Sequence, residues 1–380
     1  MTAASPDPSA AALRGALIAL LRLGAGQGGF YGAPDGWTAG AAPDLSAMSP
    51  AALLEAARAE GVSMPAAAAL GLSPDLPPDA RADLFQSAFA AQARAARLSG
   101  ALRGLGAVLA AAGIEAAALK GAAVLTLSDP PPNLRDMVDL DLLVRPEDMA
   151  GAVEALRDAG WTGDHAAFSA RTDYHYPALF PPPGGPATVE LHQRLDWARG
   201  GPLSADAILS RAAPCPHHPG LLRPAPLDRA AHLVRHAQLG DRGWARGTAR
   251  LKDCHDWRML AAAEEALDAE ALAALAGWDG ARSRAAAEAF LVLQERAWGR
   301  DVCPPGWRTK HGAWVERAWA SLCDPGAKAR AAEGDAWAAR LEPLRDPGLL
   351  RHVLVGLTLP GRRRRFLARL GLGTADPGNG

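Results

Sequence analysis

Asp139 and Asp141 stand two residues apart in the run LRDMVDLDLLV, residues 134–144. At that spacing two side chains project from the same face of an extended strand. Side by side, the carboxylates repel each other unless a cation neutralises them. The chain carries 41 acidic residues in 380 positions, so chance alone supplies on the order of four acid-x-acid pairs. Context decides whether this one matters. It continues into Leu142, Leu143 and Val144, a stretch too apolar for a simple solvent-exposed edge. Val138, Leu140 and Leu142 have the opposite parity and are expected to face the core. Asp136 falls off the parity of the pair and reads as a neighbour of Arg135 in the approach loop.

A third acid comes from ATVELH, residues 187–192, where Glu190 and His192 share one face and Val189 and Leu191 the other. If that strand pairs beside 138–144, Glu190 reaches the cation held by Asp139 and Asp141, and His192 stands behind these ligands as a supporting group. Carboxylates with open water positions suit Mg²⁺ or Mn²⁺ that also holds a substrate's phosphates. Such a site can take two ions about 3.5–4 Å apart. Upstream, Lys120-Gly121-Ala122 lies where a strand hands over to a helix. A glycine there lets backbone N–H groups approach phosphate oxygens, and a helix N-terminus adds a favourable dipole. Lys120 and Arg135 are the cationic candidates for a triphosphate. Their plain alternatives are a surface lysine and a partner for Asp136. Only four of the 40 basic residues are lysine, which makes lysine at 120 an uncommon choice.

The elements that must position these residues are legible in outline. Residues 1–83 are alanine-rich helical segments cut by GQGGFYGAPDG and SPDLPPDA; ALIALL within them is too short for a bilayer and reads as an amphipathic first helix. A long helix is expected from about Arg81 to Ala112, with Leu84, Phe85, Phe89, Leu98, Leu102, Leu105 and Leu109 buried and Gly113 ending it. IEAAAL (114–119) and VDLDLLV (138–144) read as strands, PEDMAGAVEALRDAGW as a helix opened by Pro146 and closed by Gly160. YHYPALF (174–180) and ATVELH flank PPPGGP as a strand–turn–strand unit. Beyond Pro202 the chain reads as mostly helical, with apolar positions at 227, 230, 233, 234 and 237 and at 251, 254, 257 and 260. Eight of the 11 tryptophans follow residue 240, which gives this half a core of its own. The last residues, 373–380, read as a tail.

AAALKGAAV, LRDMVDLDLLV and TVELH together resemble the uncharacterised nucleotidyltransferase family of the DNA polymerase β-like superfamily. The resemblance covers roughly residues 84–200 well and continues more loosely through AAHLVRHAQLG and RLKDCHDW. It implies an α+β fold, a small mixed sheet flanked by N- and C-terminal helical regions. It places the metal carboxylates on Asp139, Asp141 and Glu190 and the glycine turn on Gly121. One departure stands out: the superfamily usually follows the turn glycine with Ser or Gly, and here Ala122 follows while Lys120 precedes. The expected organisation is an N-terminal helical region (1–83), an α/β core (84–200), a C-terminal helical region (201–372) and a tail (373–380). The expected activity is transfer of an NMP group from an NTP such as ATP to an acceptor hydroxyl.

Other patterns point elsewhere. His232 and His236 share a helix face, yet position 233 is Leu, so HExxH is absent; with His255-Asp256 they form the basis of a rival, a His/Asp metal-dependent phosphohydrolase. A second rival is a non-catalytic nucleotide-binding module in a biosynthetic assembly. PCPHHPG (214–220) lacks a fourth zinc ligand and reads as a proline-rich loop. GRRRRFLARL (361–370) reads as a solvated helix face. A net charge of −1 gives no global field for nucleic acid or anionic lipid, so a small molecule, a peptide or a polysaccharide precursor is favoured as acceptor. Four scattered cysteines without a CxxC pair fit reduced thiols and a cytoplasmic protein.

Overall fold

The structure is a computed structural model that describes residues 10–26, 49–71, 78–129, 137–163, 168, 173–196, 200–263, 267–299, 303–324 and 326–331. Arg135, Asp136, most of GQGGFYGAPDG, the basic run at 361–370 and the tail lie outside the described residues. Three helices come first: α1 (Ala10–Gly26), α2 (Pro50–Ala59) and α3 (Ser63–Gly71). The long helix α4 (Pro78–Ala111) then carries the chain to the sheet. Leu98, Leu102, Leu105 and Leu109 form its buried stripe, at the three- and four-residue spacing of one helix face. Phe89, expected in that stripe, is 70% exposed. It lies nine residues before Leu98, about two and a half helical turns, and therefore points the opposite way. The helix ends at Gly113, whose φ of +73° is the left-handed conformation glycine supplies at a helix end. Gly113 N donates to Ala110 O at 3.0 Å and Ile114 N to Leu109 O at 2.9 Å.

The sheet is built from β1 (Ala117–Ala118), β2 (Asp139–Leu143), β3 (Thr188–His192), β4 (Ala213–Pro214) and β5 (Leu222–Arg223), in the order β3-β2-β1-β5-β4. Helix α5 (Lys120–Leu125) leaves β1, α6 (Met149–Asp158) follows β2, and α7 (Ala205–Arg211) precedes β4. β1 pairs antiparallel with β2 and parallel with β5, while β2 pairs parallel with β3. This is the mixed α+β sheet the sequence implied. Leu140, Leu142, Val189 and Leu191 are fully buried beneath it. Val138, expected to join them, is 72% exposed. It precedes the strand, and only its carbonyl is engaged, accepting from Thr188 N at 3.2 Å. Arg94 on α4 fixes the approach to β2 by donating to Met137 O at 2.7 Å.

One local expectation is extended and another corrected. PCPHHPG is the loop expected, but it is the turn of a hairpin: Pro214 closes β4, residues 215–220 make the turn, and β5 follows with Leu222 paired to Ala117. Strands of two residues are too short to show an alternation. The segment 174–180 joins β3 through the isolated bridges His175↔His192 and Leu179↔Val189 rather than as a regular strand. Pro177 sits between the two bridges, and a proline has no N–H to continue a ladder.

The remaining helices are α8 (Pro226–Arg235), α9 (Gly243–Arg246), α10 (Leu251–Ala263), α11 (Ala269–Ala276), α12 (Ala281–Trp298) and α13 (Pro305–Cys323), with a π-helical turn at His236–Gly240. The expected stripes are buried at Ala230, Leu233, Val234 and Ala237 and at Leu251, Cys254, Trp257 and Leu260; Leu227 is partly buried. Helix α8 is pinned by the buried Arg235, which donates to Asp196 at 2.6 Å and to both oxygens of Asp279 at 2.9 Å. One apolar cluster runs from α1 through α4 and the sheet to α13. Among the described residues no helix is long and apolar enough to cross a membrane.

Candidate active site

The register between β2 and β3 sets Asp139 opposite Thr188, Asp141 opposite Glu190 and Leu143 opposite His192. Because the strands are parallel neighbours, Asp141 and Glu190 lie side by side on one face while Leu140, Leu142, Val189 and Leu191 enter the core on the other. Asp141 is buried. Lys120 Nζ donates to its Oδ1 at 2.6 Å, and His192 Nε2 lies 2.8 Å from the same oxygen. The same His192 nitrogen is 3.7 Å from Glu190 Oε2. Asp141, Glu190 and His192 each offer a ligand atom, and these atoms all lie within 4.8 Å of one another. Asp139, two residues back at a half-buried position, stands outside that group. His192 is thus nearer the centre than a supporting role behind the ligands implies.

Electrostatics keep the acids charged. Burial opposes ionisation of Asp141, yet the His192 hydrogen bond and the Lys120 ammonium hold its carboxyl far below the usual aspartate range. Glu190 is also lowered, chiefly by the neighbouring His192 against a penalty from burial. Burial disfavours the charge on His192, but bonds to Asp141 and Glu190 outweigh it and raise its pKa. Lys120 behaves alike: burial lowers it, and Asp141 more than restores it. An opposite charge within 4 Å does in each case what solvent cannot.

Lys120 also carries the backbone turn. Leu119 is extended (φ −116°) and its N–H donates to Asp141 O at 2.9 Å, closing β1 onto β2. Lys120 then adopts φ +46°, a left-handed conformation that is uncommon outside glycine. Gly121, the expected turn glycine, is instead a buried residue within α5. Tyr174 and His175 went unread in the sequence. Their rings lie 5.9 and 5.3 Å from that of His192, and burial raises the Tyr174 hydroxyl pKa. The signal that places them was available, since YHYPALF was already set against ATVELH as a hairpin.

A family model described as an uncharacterised nucleotidyltransferase matches residues 46–294, more than half of the chain. The chain belongs to this family. The matched span runs from before α2 into α12 and takes in the whole sheet. Nucleotidyl transfer is therefore its activity at the level of the family. A search of curated proteins gives no match.

The helical histidines of this nucleotidyltransferase family member form no second centre among the described residues. There the group of His, Cys, Asp and Glu close enough to share an ion is Asp141, Glu190 and His192. His232 and His236 lie ring to ring at 6.2 Å, and burial pushes both well below the ordinary histidine range. Cys215 and His218 are likewise structural. His218 Nε2 meets Ser99 Oγ at 3.0 Å and its Nδ1 lies 3.8 Å from Cys215 Sγ.

Proposed function

We propose that the chain moves an NMP group from an NTP, ATP among them, to the hydroxyl of an acceptor, with Mg²⁺ or Mn²⁺ held by Asp139, Asp141 and Glu190. The observation that carries this reading is the register that sets Asp141 beside Glu190 on adjacent parallel strands. The donor set fits a hard divalent cation, because both carboxylates stay ionised and offer oxygen ligands. When bound, such a cation neutralises the triphosphate and lowers the pKa of an attacking hydroxyl.

The chain's own residues orient the reactants and hold the proton. Glu190, more open than Asp141, takes the proton of the acceptor hydroxyl as its oxygen attacks the α-phosphorus. The bond from that phosphorus to the pyrophosphate oxygen breaks, and pyrophosphate leaves. Chemistry of this kind depends mainly on positioning and charge. His192 serves it by orienting the two carboxylates. A ligating histidine normally donates its second N–H to a partner, whereas His192 Nδ1 is buried and meets none among the described residues. Lys120, Gly121 and Arg135 handle the triphosphate, and the helical regions at 1–83 and 201–372 supply the base pocket and acceptor site around the core at 84–200. The acceptor is a small molecule, a peptide or a polysaccharide precursor.

Incubation with labelled NTPs, Mg²⁺ and cell extract tests the proposal: label enters one acceptor fraction with wild type and none with D139N or D141N. A second reading, a nucleotide-binding module without turnover, is favoured by Ala122 beside Gly121 and by the Lys120 ammonium on Asp141. Nucleotide binding with no pyrophosphate release in any extract decides for the module.

A further inference from the structure

Asp141 Oδ1 meets two nitrogen donors at once. A carboxylate oxygen has about two lone-pair directions, and here Lys120 Nζ at 2.6 Å and His192 Nε2 at 2.8 Å take both. The two donors are not equally fixed. The His192 side chain has no exposure and is wedged beneath Tyr174 and His175. The Lys120 side chain keeps 15% of its surface exposed on a flexible four-carbon stem. Its backbone is one of two non-glycine positions with positive φ among the described residues. Strain of that kind persists where the surroundings hold it, and the ion pair to Asp141 is the hold on this side chain. A divalent cation drawn to Asp141 and Glu190 meets a like charge already on the same carboxylate.

We propose that Lys120 and a divalent cation compete for Asp141, so that Lys120 is a built-in counter-cation setting how tightly the site takes metal. The proposal rests on the reading of Asp141 and Glu190 as metal carboxylates. Lys120 is a positioning residue in this scheme: the arriving cation releases its ammonium, which then turns toward the triphosphate that follows. Affinity for metal alone is kept low, and metal bound together with nucleotide is favoured.

Titration of Mn²⁺ without nucleotide, followed by the electron paramagnetic resonance signal of free Mn²⁺, tests this on wild type, K120M and D141N. K120M is expected to bind at least tenfold tighter than wild type, and D141N at least tenfold weaker. Equal binding by wild type and D141N removes the metal reading and Lys120's role with it. Loss in D141N with no gain in a folded K120M removes the Lys120 proposal alone. Wild type supplies a test that needs no Lys120 variant. With only four lysines in the chain, reductive methylation read by mass spectrometry resolves each one. Lys120 is expected to become several-fold more reactive on saturation with Mn²⁺ while Lys252 and Lys310 do not change. A Lys120 that stays as protected with Mn²⁺ as without it overturns the proposal.

Discussion

Two groups of titratable side chains among the described residues, one on β2 and β3 and the other at the end of α8, respond to burial in opposite ways. On the strands, each charged form has an opposite charge within 4 Å. Asp141 and Glu190 are held below the usual carboxylate range, and His192 above the usual histidine range. At the end of α8, desolvation outweighs the charges nearby: His232 is driven toward neutrality, and so is His236 although its Nδ1 lies 3.2 Å from Asp241 Oδ2. The residue types are much the same. What separates them is the balance between desolvation and pairing: on the paired strands the ion pairs outweigh burial, and at the end of α8 burial prevails even over the Asp241 carboxylate beside His236. Burial lowers a histidine unless the charges held against it are strong enough to offset the loss of water.

The comparison can be broken most directly by D141N. Transfer is expected to fall on the order of a thousandfold, followed as pyrophosphate release, while H232L stays within roughly threefold of wild type because His232 is neither a proposed metal ligand nor a proposed triphosphate contact. Equal damage from the two substitutions would falsify the contrast. Next in size is Leu140→Ala beneath the strands against Leu233→Ala on α8. Each is expected to cost about 2–5 kcal/mol in denaturant unfolding, and only the first should also depress turnover of the folded fraction. H192F is expected to lower transfer by about 10–100-fold, the range for a group that orients ligands, with the loss reduced at high Mg²⁺.

The smallest effect is a pH dependence. His232 and His236 have folded pKa values below the unfolded one, so the unfolded chain binds more protons as pH falls through about 6.5. Stability is then lost on acidification, by at most about 1.4 kcal/mol per pH unit for each histidine. His192 works in the opposite sense: its contribution is present below the ordinary histidine pKa and fades as pH rises through its raised folded value. Thermal melts between pH 7 and 5 should show H232L flatter than wild type. An unchanged slope means that His232 is already protonated in the folded chain.

Parity arithmetic set Asp141 and Glu190 on one face, as the register of β2 and β3 has them, because strands carry a period of two, and it found the stripe from Leu98 to Leu109 because helices carry one of 3.6. It misjudged Phe89 by extending a stripe across half a turn. It misjudged Val138 by assuming that a strand begins where its apolar residues do. β4 and β5 left no pattern to read, being two residues each. The central place of His192 was hidden for a different reason. Sequence shows which face a side chain takes, but the 2.8 Å contact with Asp141 depends on register, which no periodicity specifies. The left-handed backbone fell on Lys120 rather than Gly121, against ordinary residue preference, at a residue whose side chain is pinned to Asp141.

The parallel pairing of β2 with β3 also sets an order in time. β2 ends at Leu143 and its partner begins at Thr188, with α6 and the turn at 182–185 between them. The neighbouring strand on the far side of β1 arrives only at Leu222. Helices such as α4 form from local contacts, but this pairing must first meet the entropy of closing a long loop. A chain emerging from the ribosome therefore carries Asp139 and Asp141 well before it carries the site. Asp141, Glu190 and His192 meet only after His192 has cleared the exit and docked, so under the proposed metal reading affinity for a divalent cation is expected to appear late in folding and to report that the sheet has closed.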